Sequence, residues 1–199
     1  MRQSSFGQAN NLWPETVLAK LRLYKIISKL KSVKPLERIV DLGSGYNGRS
    51  LEKIIKLFPE IKTAVGADLS VGESSVNPKI KLIAADLNKA LPLSGESFDA
   101  AICTAVIEHL PDPESAIGET FRILKPGGSF ILTTPSPLNK KVVEFLAFRL
   151  GLLDKTEIVD HKNYFTPTEL KKMMSRSGFK KIEIKTFQLG CNILVSCNK

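Results

Sequence analysis

Residues 38 to 48 read Arg-Ile-Val-Asp-Leu-Gly-Ser-Gly-Tyr-Asn-Gly, an apolar strand that runs into a glycine-rich turn and opens a helix. Gly43 and Gly45 permit a tight turn with positive φ and a close backbone approach, and a helix starting near Gly48 aims unpaired N–H groups at an anion. The stretch is therefore a cradle for a nucleotide-type cofactor. Gly43, Gly45 and Gly48 spell G-x-G-x-x-G, and Asp68 follows Gly48 by twenty residues, so a dinucleotide fingerprint also fits. Asp41 decides between the two. At that place, two before Gly43, a dinucleotide-binding strand keeps an apolar side chain, because the bound pyrophosphate already carries two negative charges. A carboxylate there suits a ligand that carries a cation.

The chain has 199 residues, 43% of them hydrophobic, which is enough for one well-buried core, and nothing marks a second domain. Cys103, Cys191 and Cys197 are odd in number and lack C-x-x-C spacing, which argues against a disulfide framework or a structural zinc site and fits a reducing cytoplasm. The first residues are polar, and no apolar run approaches the roughly 18 residues of a spanning helix, so the expectation is a soluble protein without a signal peptide. Peripheral membrane contact stays open. The net charge of +9 comes from lysines scattered through every expected helix, without an aromatic-and-basic module for nucleic acid.

From Pro14 to about Lys31, Val17, Leu18, Leu21, Tyr24, Ile27 and Leu30 recur at helical spacing and predict an amphipathic helix ahead of the sheet, within an N-terminal extension of residues 1–35. Strand one follows at Ile39 to Leu42, then a helix with Leu51, Ile54, Ile55 and Phe58 on one face, ended by Pro59. Strand two, Thr63 to Ala67, finishes at Asp68, an acid placed to accept from both hydroxyls of a ribose. Ser70 to Pro78 has room for only a turn or two of helix. Strand three is Ile80 to Ala84, leading to Asp86 and Leu87, suited to an adenine amino group and its ring. Strand four, Phe98 to Cys103, runs into Thr104. Asp112-Pro113 caps a helix that reaches the stop at Lys125 to Gly128, and strand five is Ser129 to Thr134. Strands separated by helical patterns imply parallel right-handed crossovers with ligands at the strands' carboxyl ends, where Asp41, Asp68, Asp86 and Thr104 recur.

After strand five, residues 140 to 153 are apolar on nearly all sides of a helix, which fits either core packing or a lid over an apolar acceptor pocket. Thr166 to Glu169 spells a capping box with Pro167 at the first helical position, and Leu170, Met173 and Met174 form that helix's inner face. Strand six is Ile182 to Phe187, and Cys191 to Cys197 returns as an antiparallel strand seven.

Val40 to Gly45, Ala67-Asp68, Ala85-Asp86-Leu87, Ser97-Phe98-Asp99, Val106 to Leu110 and Leu124 to Gly128 occur in the order seen in class I S-adenosylmethionine-dependent methyltransferases. The chain resembles that family over residues 36 to 199, most closely the small-molecule group that includes ubiquinone-pathway enzymes. The resemblance implies a Rossmann-like three-layer α/β/α sandwich with a seven-stranded sheet of order 3-2-1-4-5-7-6, strand seven alone antiparallel. It implies a single methyltransferase domain over 1–199 with a lid-like substrate-recognition insertion at 135–165. The cofactor is then S-adenosyl-L-methionine, leaving S-adenosyl-L-homocysteine, and its ammonium and carboxylate suit Asp41 and the neighbouring N–H groups. The residues expected to hold it are Asp41, Gly43, Ser44, Gly45, Asp68, Leu69, Asp86, Leu87, Cys103 and Thr104. Where the family places its third glycine, residue 47 is Asn47, which tolerates left-handed geometry.

Transfer from a sulfonium needs alignment, exclusion of water and, for a hydroxyl acceptor, removal of a proton, but no metal. His161, in the polar stretch before the last helix, is the candidate general base, with His109 the alternative. The acceptor is expected to be a small molecule methylated on O, N or C. The rival functions are a noncatalytic cofactor-binding or RNA-associated protein and a nicotinamide-dependent oxidoreductase, the latter opposed by Asp41. Oligomeric state is not encoded in any feature of the sequence.

Overall fold

The computed structural model describes residues 13–72, 75, 77–139, 142 and 163–199. Strand β1 (Arg38–Leu42) has its last four residues buried, which is why it reads as a near-continuous apolar run rather than an alternation. It pairs in parallel with β2 (Thr63–Asp68) on one side and β4 (Phe98–Thr104) on the other. The sheet extends through β3 (Ile80–Ala84) beyond β2, and through β5 (Leu124–Pro135), β7 (Asn192–Asn198) and β6 (Lys180–Phe187) beyond β4. The order is 3-2-1-4-5-7-6, and β7 runs antiparallel to both of its neighbours. The sheet and its direction changes are therefore those that the family resemblance implies.

Helices cover both faces. On one, Ile26 and Leu30 of α1 (Trp13–Leu30) and Leu51, Ile54 and Ile55 of α2 (Arg49–Leu57) pack with Ile39, Ile102 and Ile131. On the other, Ile117 of α3 (Pro113–Ile123) and Leu170 and Met174 of α4 (Pro167–Arg176) pack with Val40, Ala101 and Leu132. The two N-terminal caps read from sequence are present. Asp112 accepts from the Ser115 N–H at 3.0 Å, and Thr166 and Glu169 form the reciprocal capping box.

Three expectations need correction. In α1 the apolar stripe does not all face inward: Val17, Leu18, Leu21 and Tyr24 are exposed, at 41% or more, and the buried face is set by Ile26 and Leu30. Among the described side chains, Leu23, Ile26, Ile27 and Leu30 are the ones that pack with apolar sheet residues, so the spacing was right for a helix and misleading about its face. Strand β5 begins at Leu124, directly after α3, so Lys125 to Gly128 lies inside the strand and not before it. Gly128 is there because an added Cβ would sit 2.8 Å from the Lys125 carbonyl oxygen and 3.2 Å from that of Phe98. Between β2 and β3 no helix stands among the described residues. The 140–153 helix and the body of the 135–165 insertion lie outside the described residues.

Asp99 fastens the base of this sheet. It is 5% exposed, and its Oδ2 accepts from the N–H groups of Glu37 and Arg38 at 2.8 and 2.7 Å. Lys125 donates to its Oδ1 at 2.6 Å. One carboxylate on β4 thus ties the entry of β1 to the start of β5. Asp99→Ala leaves two N–H groups and an ammonium without that partner, and should lower the unfolding free energy by about 2 to 3 kcal/mol. Urea titration of the variant checks this, and a midpoint equal to that of the unsubstituted chain would contradict it.

Candidate functional site

At the carboxyl end of β1, Asp41 is 2% exposed. The Ser50 hydroxyl, from the first turn of α2, donates to its Oδ2, while its Oδ1 has no partner. Burial pushes its pKa up to about 6, against the Ser50 bond and with help from the negative Asp68 nearby. A buried carboxylate with a vacant oxygen is costly unless something cationic or hydrogen-bonding meets it.

The turn above it is built from three residues at positive φ, Gly43 at 81°, Gly45 at 71° and Gly48 at 57°. Gly48 takes the left-handed position itself, as the N-cap of α2, so Asn47 is not called on to do so. At Gly43 a Cβ would lie 2.2 Å from Val106 Cγ2, so the turn rests directly on the chain that follows β4. The N–H groups here are already engaged: Gly43 and Ser44 donate to the Ala67 carbonyl at 2.7 and 3.3 Å, and Gly45 donates to Asp68 Oδ2 at 2.8 Å. The turn is thereby sewn to the end of β2 through the N–H groups of Gly43, Ser44 and Gly45.

Asp68 is half-buried, and among the described residues its Oδ1 receives only a 3.4 Å contact from the Ser70 N–H, which leaves room for further donors. Leu69 beside it is 71% exposed, an apolar surface at the strand end. Asp86 is more committed, since its Oδ1 accepts from the Asn88 N–H at 3.0 Å and from its Nδ2 at 2.8 Å. Those bonds hold its carboxyl below the ordinary range. Leu87, expected against an adenine ring, is 7% exposed and turns into the core, where it borders a void of about 10 Å³ with Leu42, Cys103, Ile107 and Ile117. Cys103 is buried there too; burial first, then the acids Glu108 and Asp41, push its thiol well above the usual value. Its side chain therefore belongs to the core, and Thr104, half-buried at the end of β4, is the residue that reaches the edge.

Past Thr104, Ala105 adopts φ 54°, and its N–H donates to the Thr133 carbonyl at 2.8 Å. A non-glycine residue in that region costs free energy, and here the bond to β5 holds it. The 3₁₀ turn Ile107–His109 follows. His109 is half-buried on it, its N–H donating to the Val106 carbonyl at 2.9 Å. His161 lies outside the described residues. Sequence reasoning passed over the neighbour of His109: Glu108 is completely buried, accepts from the Thr134 hydroxyl at 3.0 Å through Oε2, and has no partner for Oε1. Burial raises its pKa to about 7, against its local backbone bond, Thr134 and the positive Arg22. The signal that could have found it is the acid in Val-Ile-Glu-His-Leu, flanked by apolar residues on a short turn. Among the described residues no cluster of His, Cys, Asp and Glu could hold a metal ion, and no helix is long and apolar enough to cross a membrane.

A family model described as a methyltransferase domain matches residues 17–184. The chain is 28% identical over 163 residues to the ubiquinone biosynthesis O-methyltransferase of Burkholderia pseudomallei, spanning 76% of this chain and 68% of that protein. It is 27% identical over 198 residues to the enzyme of the same name from Vibrio cholerae, spanning 88% and 78%. In fold it resembles the S-adenosylmethionine-dependent methyltransferase of Mesorhizobium loti, with a TM-score of 0.68 at 20% identity over 89% of this chain and 98% of that one.

The two raised acids give a stability prediction with a definite sign. Each binds its proton more tightly in the folded chain than in the unfolded one, so its contribution is full below about pH 4. It is lost as pH rises through about 6 for Asp41 and about 7 for Glu108. The chain without cofactor should be roughly 2 to 4 kcal/mol less stable at pH 8 than at pH 5 on account of these two groups. Asp41→Asn with Glu108→Gln should remove most of that slope. Denaturant unfolding at the two pH values measures it; an unaltered slope in the double variant would show that other groups carry the effect.

Proposed function

This chain belongs to the family of class I S-adenosylmethionine-dependent methyltransferases, and from that premise we propose that it methylates a hydroxyl oxygen of a small, largely apolar acceptor. The observation that carries the cofactor site is the vacant, buried Oδ1 of Asp41, which fits a ligand with an ammonium group and a sulfonium. S-adenosylmethionine, when bound, supplies a methyl group on cationic sulfur that a nucleophile takes by in-line displacement, leaving S-adenosylhomocysteine.

The chain's residues divide the rest of the work by position. Asp41 provides the negative charge under the methionine end. Asp68 offers its open oxygen to the ribose hydroxyls, Leu69 an apolar surface beside them, and Asp86 a carboxylate at the adenine edge. With the adenosine half assigned to β2 and β3, the methyl end is left to face Thr104 and the ends of β4 and β5. The surfaces nearest that end favour an apolar acceptor. Gln188, in the β6–β7 turn at the carboxyl edge, donates to the Leu18 carbonyl at 3.1 Å, and Leu138 lies against Gly190 of the same turn. Exposed Val17, Leu18, Leu21, Leu138 and Leu189 therefore gather there. The Burkholderia and Vibrio relatives are ubiquinone biosynthesis O-methyltransferases, which supports oxygen as the accepting atom. We assign proton removal to a histidine, His161 or His109, and the three free cysteines fit a reducing compartment such as the cytoplasm.

The test is to incubate the chain with S-adenosylmethionine and a 4-alkylcatechol, and to look for the singly methylated product by mass spectrometry. Absence of product with this and other hydroxylated aromatics would count against a hydroxyl acceptor. The cofactor half has its own prediction. Because hydrogen bonds to a charged group are worth about 1.5 to 3 kcal/mol, Asp68→Ala should weaken S-adenosylhomocysteine binding by roughly tenfold to a hundredfold. Calorimetry showing unchanged affinity in the folded variant would remove Asp68 from the site.

A further inference from the structure

Glu108 grips two parts of the chain at once. Its side chain accepts from the Thr134 hydroxyl at 3.0 Å, one residue before β5 ends at Pro135. Its main-chain carbonyl accepts from the Asn163 N–H at 3.0 Å, and the Asn163 side chain returns to the Leu110 carbonyl at 2.9 Å. The point where the chain leaves the sheet after β5 and the point where it comes back before α4 are thus both fastened to one short turn beyond β4. Of these bonds only the one from Thr134 uses the side chain, and it accounts for a polar residue at 108 but not for an acid. A fully buried carboxyl with one oxygen unpaired is costly, and a neutral side chain of the same size would make the Thr134 contact without that cost. What only an acid adds is a charge that can be switched.

We propose that Glu108 is a positioning residue for methyl transfer, its side chain acting through Thr134 on a turn whose main chain also holds Asn163, so that the acceptor side of the site stays in place against Thr104. The inference rests on the reading that the acceptor lies over the ends of β4 and β5. The ionised carboxyl takes the Thr134 hydroxyl more strongly than the neutral acid does, because charge assistance shortens and strengthens such a bond. The charged group that bears on it is Arg22 from α1, and its own charge in turn raises the Cys103 thiol from β4; His109 follows it on the same turn. β5 faces it with the Thr134 hydroxyl, and the returning segment with the Asn163 amide. Arg22 favours ionisation and burial opposes it, with the balance near neutral pH. The grip therefore tightens as pH rises through about 7.

The experiment compares the unsubstituted chain with Glu108→Gln and Glu108→Ala. It reads the amide NMR signals of Thr134 and Asn163 against pH, S-adenosylhomocysteine affinity by calorimetry, and kcat/KM with S-adenosylmethionine and a 4-alkylcatechol. In the unsubstituted chain the two amide signals should titrate together near pH 7, and kcat/KM should rise over the same range. Glu108→Gln should fold, bind S-adenosylhomocysteine equally well, and lose both transitions. Glu108→Ala should in addition lower kcat/KM by about tenfold or more, with cofactor affinity unchanged. Amide transitions that persist unaltered in Glu108→Gln would overturn the proposal, as would a Glu108→Ala variant with the parent rate and pH profile. Failure of the unsubstituted chain to methylate the catechol would count against the acceptor reading alone, and the amide titration would still decide the role of Glu108.

Discussion

A carboxylate kept out of water at the end of a central strand is the constraint on which the carboxyl edge of this molecule depends. Asp41 reaches that position because β1 is flanked on both sides and covered on both faces, so its last residues have no access to solvent. Ser50 satisfies one oxygen from the first turn of α2, which requires the helix to begin close beneath the strand end. That in turn requires a tight turn, and hence glycines at positive φ at residues 43, 45 and 48. The turn is held down by bonds to Ala67 and Asp68 on one side and by contact with Val106 on the other. Strands β1, β2 and β4 thus converge on Asp41, whose second carboxylate oxygen has no hydrogen-bond partner.

The edge is chemically asymmetric about β1. Toward β2 and β3 stand Asp68, Leu69 and Asp86, half-buried or exposed and suited to a polar sugar and base. Toward β4 and β5 stand Thr104, the strained Ala105, the buried Glu108 and two buried threonines, Thr133 and Thr134. Asp41 and Glu108 are both raised by burial, yet their partners differ: Ser50 on α2 donates to one, Thr134 on β5 to the other. Cys103 lies between them, and their charges help keep its thiol neutral.

What the sequence made legible was whatever local rules decide. The β1 turn, the Asp112 cap and the Thr166–Glu169 capping box each need particular residue types at fixed offsets, and each stands where expected. The strand order followed from the family resemblance and not from periodicity, which has no means of saying that β7 enters between β5 and β6. The inward face of α1 could not be read from its stripe, because a helix with apolar residues on much of its surface buries only those its partner meets. Leu87 and Cys103 were placed at the site by position in the chain, whereas the direction in which each side chain turns depends on tertiary packing. Glu108 escaped notice for the same reason: its burial and its bond to Thr134 arise from residues far apart in sequence.

The central claim is that Asp41 and the glycine turn orient the cofactor with its adenosine toward β2 and β3 and its sulfur toward β4. A crystal structure with S-adenosylhomocysteine tests it most directly. The account predicts ribose hydroxyls within hydrogen-bonding distance of Asp68, the amino group on the Asp41 side of the turn, and the sulfur nearest Thr104. A ligand bound in the reverse sense, with adenosine over β4 and β5, or bound away from Asp41, would contradict it.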